Sequence, residues 1–196
     1  MSKFILYQYT SRAYTSAESI NLGDQRHTLP DLDEEMKYHC GVKHIQICNP
    51  TQAQFEHFVQ HYAEQYETIY FFHGRRIRDL SALSSLKNVR CLLFYSCGAK
   101  GLWDMRSNQS LQALFISDSK HLIYNLQPLT SAPALEETIL LSSMFSKYIV
   151  QSVQPLLDCP HLKRTAMVFN TENHDFDPLA FQHLEAIDYQ VDRKRN

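Results

Sequence analysis

His57 and His61 stand four residues apart in "HFVQH", a spacing that puts two imidazoles on one face of a helix and suits a zinc pair. A zinc protease also needs a glutamate between them, and "FVQ" supplies none. No third ligand is indicated, so two solvated histidines are expected. The segment "YHCGVKHIQIC" gathers His39, Cys40, His44 and Cys48. Their spacing fits no standard zinc pattern, but they are the basis of one alternative, a metal-binding protein or metal-dependent enzyme. G-x-S-x-G, P-loop and G-x-G-x-x-G sequences are all missing. Nothing assembles an acid, a base and an orienting group. The chain is therefore expected not to be an enzyme, with no catalytic residue, no metal and no cofactor.

The 196 residues suit one domain with a continuous core. A formal net charge of -2, with 19 Lys+Arg against 21 Asp+Glu, lacks the basic excess of a nucleic-acid binder outside the tail "DRKRN". No run reaches the roughly 18 apolar residues of a membrane helix. "MSKFILYQYT" has one lysine and an apolar run broken by Gln8, unlike a secretory signal. The five scattered cysteines, Cys40, Cys48, Cys91, Cys97 and Cys159, then read as reduced thiols. The expected location is the cytoplasm, with neither membrane nor nucleic acid as partner.

The chain repeats itself. "VRCLLFYSC" carries apolar residues at its positions 1, 4 and 6 and a small residue at 9, namely Val89, Leu92, Phe94 and Cys97. "LQALFISDS", "LEETILLSS" and "LKRTAMVFN" keep the phase, ending on Ser119, Ser143 and Asn170. "VKHIQICNP" and "YETIYFFHG" extend it upstream, and "LEAIDYQVD" extends it downstream. The starts at 42, 66, 89, 111, 135, 162 and 184 lie 22 to 27 residues apart. A βαβ unit needs about 30 residues or more, so ordinary crossover helices do not fit. The connectors "RDLSALSSLKN", "NLQPLTSAPA" and "VQPLLDCPH" space their leucines for short helical turns, and "TQAQFEHFVQHYAEQY" predicts a longer helix. Trp103, in "GLWDMRSN", belongs to a connector and is expected to pack against its neighbours.

This pattern resembles the leucine-rich repeat, L-x-x-L-x-L-x-x-N/C, with a period of about 20–29 residues. The phrase "DLSALSSLKNVRCLLF" looks like internalin-type connectors, and the chain as a whole is similar to short, single-domain bacterial leucine-rich repeat proteins. The resemblance implies an α/β solenoid with a curved parallel sheet of about six to seven strands and short helical turns on the convex side. Position 9 would satisfy backbone donors where the chain leaves each strand. Residues 1–41 fall outside the pattern and read as an N-terminal cap. In it, "KFILYQYT" would be a strand, "SRAYTSAESINLGDQRHT" a loop and "PDLDEEMKYHCG" a short helix stopped by Gly41. Residues 42–196 hold the repeats, the capping strand and the basic tail.

Side chains alternate across a strand, so positions 3, 5 and 7 should line the concave face. That places Tyr70, Phe72, Cys91, Leu93, Tyr95, Phe115, Ile139, Leu141 and Val168 in one apolar band, with Gln46, Glu137, Arg164 and Asp188 among its polar margin. A contiguous exposed apolar patch marks an interaction site. The expected function is a non-catalytic protein–protein interaction module binding another protein through these residues. A toxin-neutralising immunity protein or a scaffold is the specialisation that the bacterial resemblance suggests. Self-association, or coverage by the cap or the tail, is the competing use of the band. If the band is the binding site, Tyr70, Phe72, Leu93, Tyr95 and Phe115 are expected to be solvent-accessible in the isolated chain.

Overall fold

The central strands are apolar on both faces and rich in β-branched and aromatic residues, which suits a pleated surface with cover on two sides. The computed structural model describes residues 18–21, 28–143 and 147–191. It shows a single open sheet of nine strands, all of whose pairings are parallel. The strands are β1 (Glu18–Asn21), β2 (His44–Cys48), β3 (Thr68–Phe72), β4 (Cys91–Tyr95), β5 (Ala113–Ser117), β6 (Glu137–Leu141), β7 (Ile149–Val150), β8 (Arg164–Thr171) and β9 (Ala186–Val191). They lie in the order β1-β2-β3-β4-β5-β6-β8, with β9 on the body of β8 and β7 on its C-terminal extension.

The register follows the repeat phase residue by residue. Ile45, Ile69, Leu92, Leu114, Thr138, Thr165 and Ile187 form one column across the sheet. Ile47, Phe71, Phe94, Ile116, Leu140, Met167 and Tyr189 form the next column on the same face. All but Ile187 and Tyr189 at the β9 edge are buried, and burying such an aliphatic or aromatic side chain is worth about 1.5–3 kcal/mol. The connectors cover this core face with short helical turns. Ser81–Ser85 and Gln127–Ser131 are 3₁₀ turns flanked by buried Leu80, Leu83 and Leu86 and by buried Leu126 and Leu129. Trp103 packs within the core and donates its indole N–H to Asn108 Oδ1 at 2.7 Å.

Two longer helices flank β2. Helix α1 (Leu29–Met36) starts at Thr28, whose backbone N–H and hydroxyl both donate to Asp31 Oδ2 at 2.6 and 2.8 Å. After a 3₁₀ turn over Lys37–His39 the chain leaves at Gly41, whose φ of 85° favours glycine. Helix α2 (Gln52–His61) is fixed by a reciprocal cap: the Thr51 N–H donates to Gln54 Oε1 at 2.9 Å, and the Gln54 N–H returns to Thr51 Oγ1 at 3.2 Å. It buries Phe55, Phe58 and Val59.

Three expectations are corrected. The sheet has nine strands rather than six or seven, because β1 pairs with β2 and the two-residue β7 adds to β8. β1 lies inside the stretch read as a loop; its buried Ile20 docks on the core although its neighbours are polar. Asn170 does not turn the chain off its strand. β8 runs on to Thr171, pairing Asn170 with Ile149, and the Asn170 side-chain oxygen is buried without a hydrogen-bond partner among the described residues. The strand expected over "KFILYQYT" and the tail "DRKRN" lie outside the described residues.

Candidate functional site

Opposite the core, positions 3, 5 and 7 of each strand form a second apolar face. Its middle is filled. Tyr70, Cys91, Leu93, Ala113, Phe115, Ile139 and Ala166 pack together as a cluster of their own. Leu93 and Ile139 are 0% exposed, Tyr70 4% and Phe115 9%. The expectation that Tyr70, Leu93 and Phe115 would be open to solvent is therefore wrong. Large aromatic side chains on β3 and β5 flank Leu93, which sits between them at strand spacing. The exposure pattern was a property of the neighbours' sizes, not of the residue types along one strand.

The two ends of this face differ. At the strands' N-terminal ends, position 2 carries Lys43, Glu67, Arg90, Gln112, Glu136, Lys163 and Glu185, a column whose charges alternate around Gln112. Lys43 Nζ lies 2.7 Å from Glu67 Oε1, and this hydrogen bond holds the Glu67 carboxyl below its usual range. Arg90 donates to Gln112 Oε1 from Nε and Nη2 at 3.1 and 2.7 Å. Lys163 Nζ pairs with Glu136 at 3.0 Å. Glu137 and Arg164, expected in a polar rim, are instead a buried pair: Arg164 Nε donates to Glu137 Oε2 at 2.7 Å, and Arg164 Nη1 reaches Glu185 at 2.8 Å. Burial opposes the charge on Arg164, while Glu137 and then Glu185 favour it, and its guanidinium ends above its ordinary value. A cleft of about 110 Å³ opens beside them over small Cys91 and Ala113, bounded by Arg90 and Gln112. The Cys91 thiol is pushed up to about 11 by burial, so it is a poor nucleophile.

At the C-terminal ends, position 7 supplies Cys48, Phe72, Tyr95, Ser117, Leu141, Val168 and Gln190. Phe72, Tyr95, Leu141 and Val168 are half-buried, so here the face keeps apolar surface open. Phe72 stacks on Tyr95 with ring centroids 5.1 Å apart and planes 15° apart, and His73 meets both rings edge-on at 4.1 and 5.3 Å. Tyr70 supports Phe72 from below at 5.6 Å. Gln46 donates to Cys48 Sγ at 3.0 Å, and Asp188 is exposed on β9.

The residues just past these strand ends went unnoticed in the sequence. Asn49, His73, Ser96 and Asp118 all take positive φ, between 50° and 54°, at equivalent places in four successive repeats. Each swings the chain off its strand, at a backbone cost of about 1–3 kcal/mol for a non-glycine residue. Position 8 of the repeat would have found them. They seat a polar chain along the strand ends: Arg75 Nε donates to Ser96 Oγ at 3.1 Å, Ser96 Oγ donates to Asp118 Oδ2 at 3.1 Å, and the Tyr148 hydroxyl donates to Asp118 Oδ1. Burial, then this bond, pushes the Tyr148 phenol up to about 12. Position 9 does its expected work at Ser119, which accepts the Cys97 N–H at 2.9 Å.

The histidine and cysteine motifs do not come together. Cys40 turns its thiol to the Met36 carbonyl at 3.5 Å, whereas Cys48 takes Gln46. His57 is not simply solvated: its Nε2 lies 2.6 Å from Asp33 Oδ1 on α1, and the Tyr62 hydroxyl donates to the same oxygen. Among the described residues no group of three or more His, Cys, Asp or Glu is placed to hold a metal ion, and no helix is long and apolar enough to cross a membrane. Compared with known proteins, no family model and no characterised sequence matches this chain.

Proposed function

We propose that this chain is a leucine-rich repeat solenoid that works as a non-catalytic protein-binding module, its partner seated on the C-terminal end of the second face. The seven-fold agreement between repeat phase and strand register supports the repeat reading. One observation carries the function: Phe72 beside Tyr95, and Leu141 beside Val168 across Ser117, keep apolar surface half-open at the end of a face whose middle is packed away. Tyr and Phe are the residues that interface centres favour. Strands that are hydrogen-bonded on both sides hold them in a fixed row, which suits blocking or positioning another protein without chemistry. A cytoplasmic immunity protein or scaffold fits that mode of action.

Site-specific photocrosslinking tests it. Benzoylphenylalanine in place of Tyr95 should capture a distinct partner in native lysate, whereas the same group at exposed Tyr124, on the short helix α3 (Lys120–Tyr124), should not. Equal capture at both positions overturns the reading, and so does capture of nothing but a second copy of the chain. Tyr95→Ala should weaken the captured complex by about 2–4 kcal/mol, as truncation of an aromatic anchor does.

A further inference from the structure

The stretch "HGRRIR", residues 73–78, follows Phe72 directly at the end of β3, and its Arg75 is tied to Ser96, the residue after Tyr95. The turn is rigidly seated. Its Ile77 is fully buried, the Gly98 N–H donates to the Gly74 carbonyl at 3.1 Å, and Arg78 Nη1 donates to the Arg75 carbonyl at 2.7 Å. Gly98 is required by this approach, since a Cβ there would lie 2.3 Å from the Arg75 carbonyl oxygen. Arg75 and Arg78 are both exposed. Arg75 uses Nε on Ser96, which leaves both terminal nitrogens without a partner among the described residues. Arg78 spends Nη1 on backbone carbonyls and meets no carboxylate there either. The nearby acids are already engaged: Asp118 accepts from Ser96 and Tyr148, and Asp79 accepts from the Ser81 N–H and hydroxyl.

We infer that this corner of the sheet recognises an acidic peptide segment carrying an aromatic anchor, the ring lying on Phe72, His73 and Tyr95 and a carboxylate on the Arg75 and Arg78 guanidiniums. The inference deepens the binding-module reading and rests on it. A guanidinium already positioned by its neighbours gives up little freedom when it grips a carboxylate, and the planar fork favours a two-point contact. Basic and aromatic groups together also suit single-stranded nucleic acid. That ligand needs a charged groove tracking its backbone, whereas here Asp118 lies along the same edge.

The test uses the full chain and a fluorescent random glutamate–tyrosine copolymer, read by anisotropy. The copolymer should bind, polyglutamate and a lysine–tyrosine copolymer should bind about tenfold more weakly or not at all, and the double change Arg75→Gln with Arg78→Gln should cost about tenfold. Tyr95→Ala should cost a similar factor by a separate route, and Lys37→Glu in the cap should cost nothing. Thermal melts verify that each variant is folded; should the double change unfold the protein, the Tyr95→Ala result and the polyglutamate comparison decide. Undiminished binding by the glutamine variant, equal binding of polyglutamate, or tighter binding of oligothymidylate would each overturn the inference. A crosslink from position 95 without copolymer binding sinks this inference alone, while failure of that crosslink sinks the reading beneath it.

Discussion

Glu137 and Arg164 begin neighbouring strands, and their pairing decides what either can become. Removing the Glu137 charge leaves the buried Arg164 only the exposed Glu185 at 2.8 Å and Glu136 at 4.0 Å, so Glu137→Gln should destabilise the protein in urea denaturation, by less than the about 3–5 kcal/mol of a fully stranded charge. Changing both to leucine and methionine should recover most of that loss, because a well-packed apolar pair avoids desolvation altogether. Cysteine chemistry follows the same reasoning of burial. Cys40 is exposed, while Cys48, Cys91, Cys97 and Cys159 are buried, and burial raises Cys91 and Cys97 to about 11. Iodoacetamide at pH 8 should therefore label one site in the native protein and five in the denatured one, counted by mass spectrometry. The sequence identified the face that Glu137, Arg164 and Cys91 occupy, because alternation along a strand is strictly geometric. It could not reveal that Arg164 and Glu137 lie under cover, since burial depends on the side chains that neighbouring strands bring alongside.

Helix α1 is joined to α2 by one carboxylate. The hydrogen bond from Tyr62, then that from His57, holds the Asp33 carboxyl below its ordinary value near 3.8, and Asp33 in turn pushes the Tyr62 phenol up to about 12. A depressed carboxyl contributes stability that is present above its unfolded pKa and is lost as pH falls through the folded one. A raised phenol contributes stability that is present below its unfolded value near 10.0 and is lost as pH rises towards 12. Amide NMR shifts of α1 should consequently move both below about pH 4 and above about pH 10, and Asp33→Asn should abolish both limbs. Between β6 and β8 the elements meet through a polar pair in the core: Thr138 and Thr165 share a hydrogen bond at 2.9 Å where other repeats place leucine or isoleucine. Thr138→Val alone strands the second hydroxyl and should cost about 1–3 kcal/mol, whereas changing both to valine should be nearly neutral, as chemical denaturation would show. Both threonines occupied their column in the sequence reading, but their mutual bond depends on register, which only neighbouring strands define. β1 was missed for a related reason, since one buried isoleucine among polar residues gives no period to detect.

At the scale of the whole molecule the two faces should answer differently to truncation. Leu92→Ala and Leu114→Ala should each cost about 2–5 kcal/mol of stability, and Leu93→Ala should now join them, because its side chain is equally enclosed. Tyr95→Ala, at the open end, should lower the melting temperature much less. If Tyr95→Ala unfolds the protein as badly as Leu92→Ala, the binding row is internal and the proposed function fails. The repeat was legible because one phase of apolar residues persists through seven strands. The charges of the position-2 column add a second specification at its two ends: omitting β3 would bring Lys43 opposite Arg90, and omitting β8 would bring Glu136 opposite Glu185. Because each strand of the main run pairs with others only 22 to 27 residues away in sequence, no long loop must close before the sheet can grow. Such a chain gains structure by addition at either end of an existing stack, so its opening is graded rather than all-or-none. Amide protons of β4, β5 and β6 should exchange with deuterium last, those of β1 and β9 first, and a destabilising change in one strand should speed exchange outward to the nearer edge while leaving the other side slow.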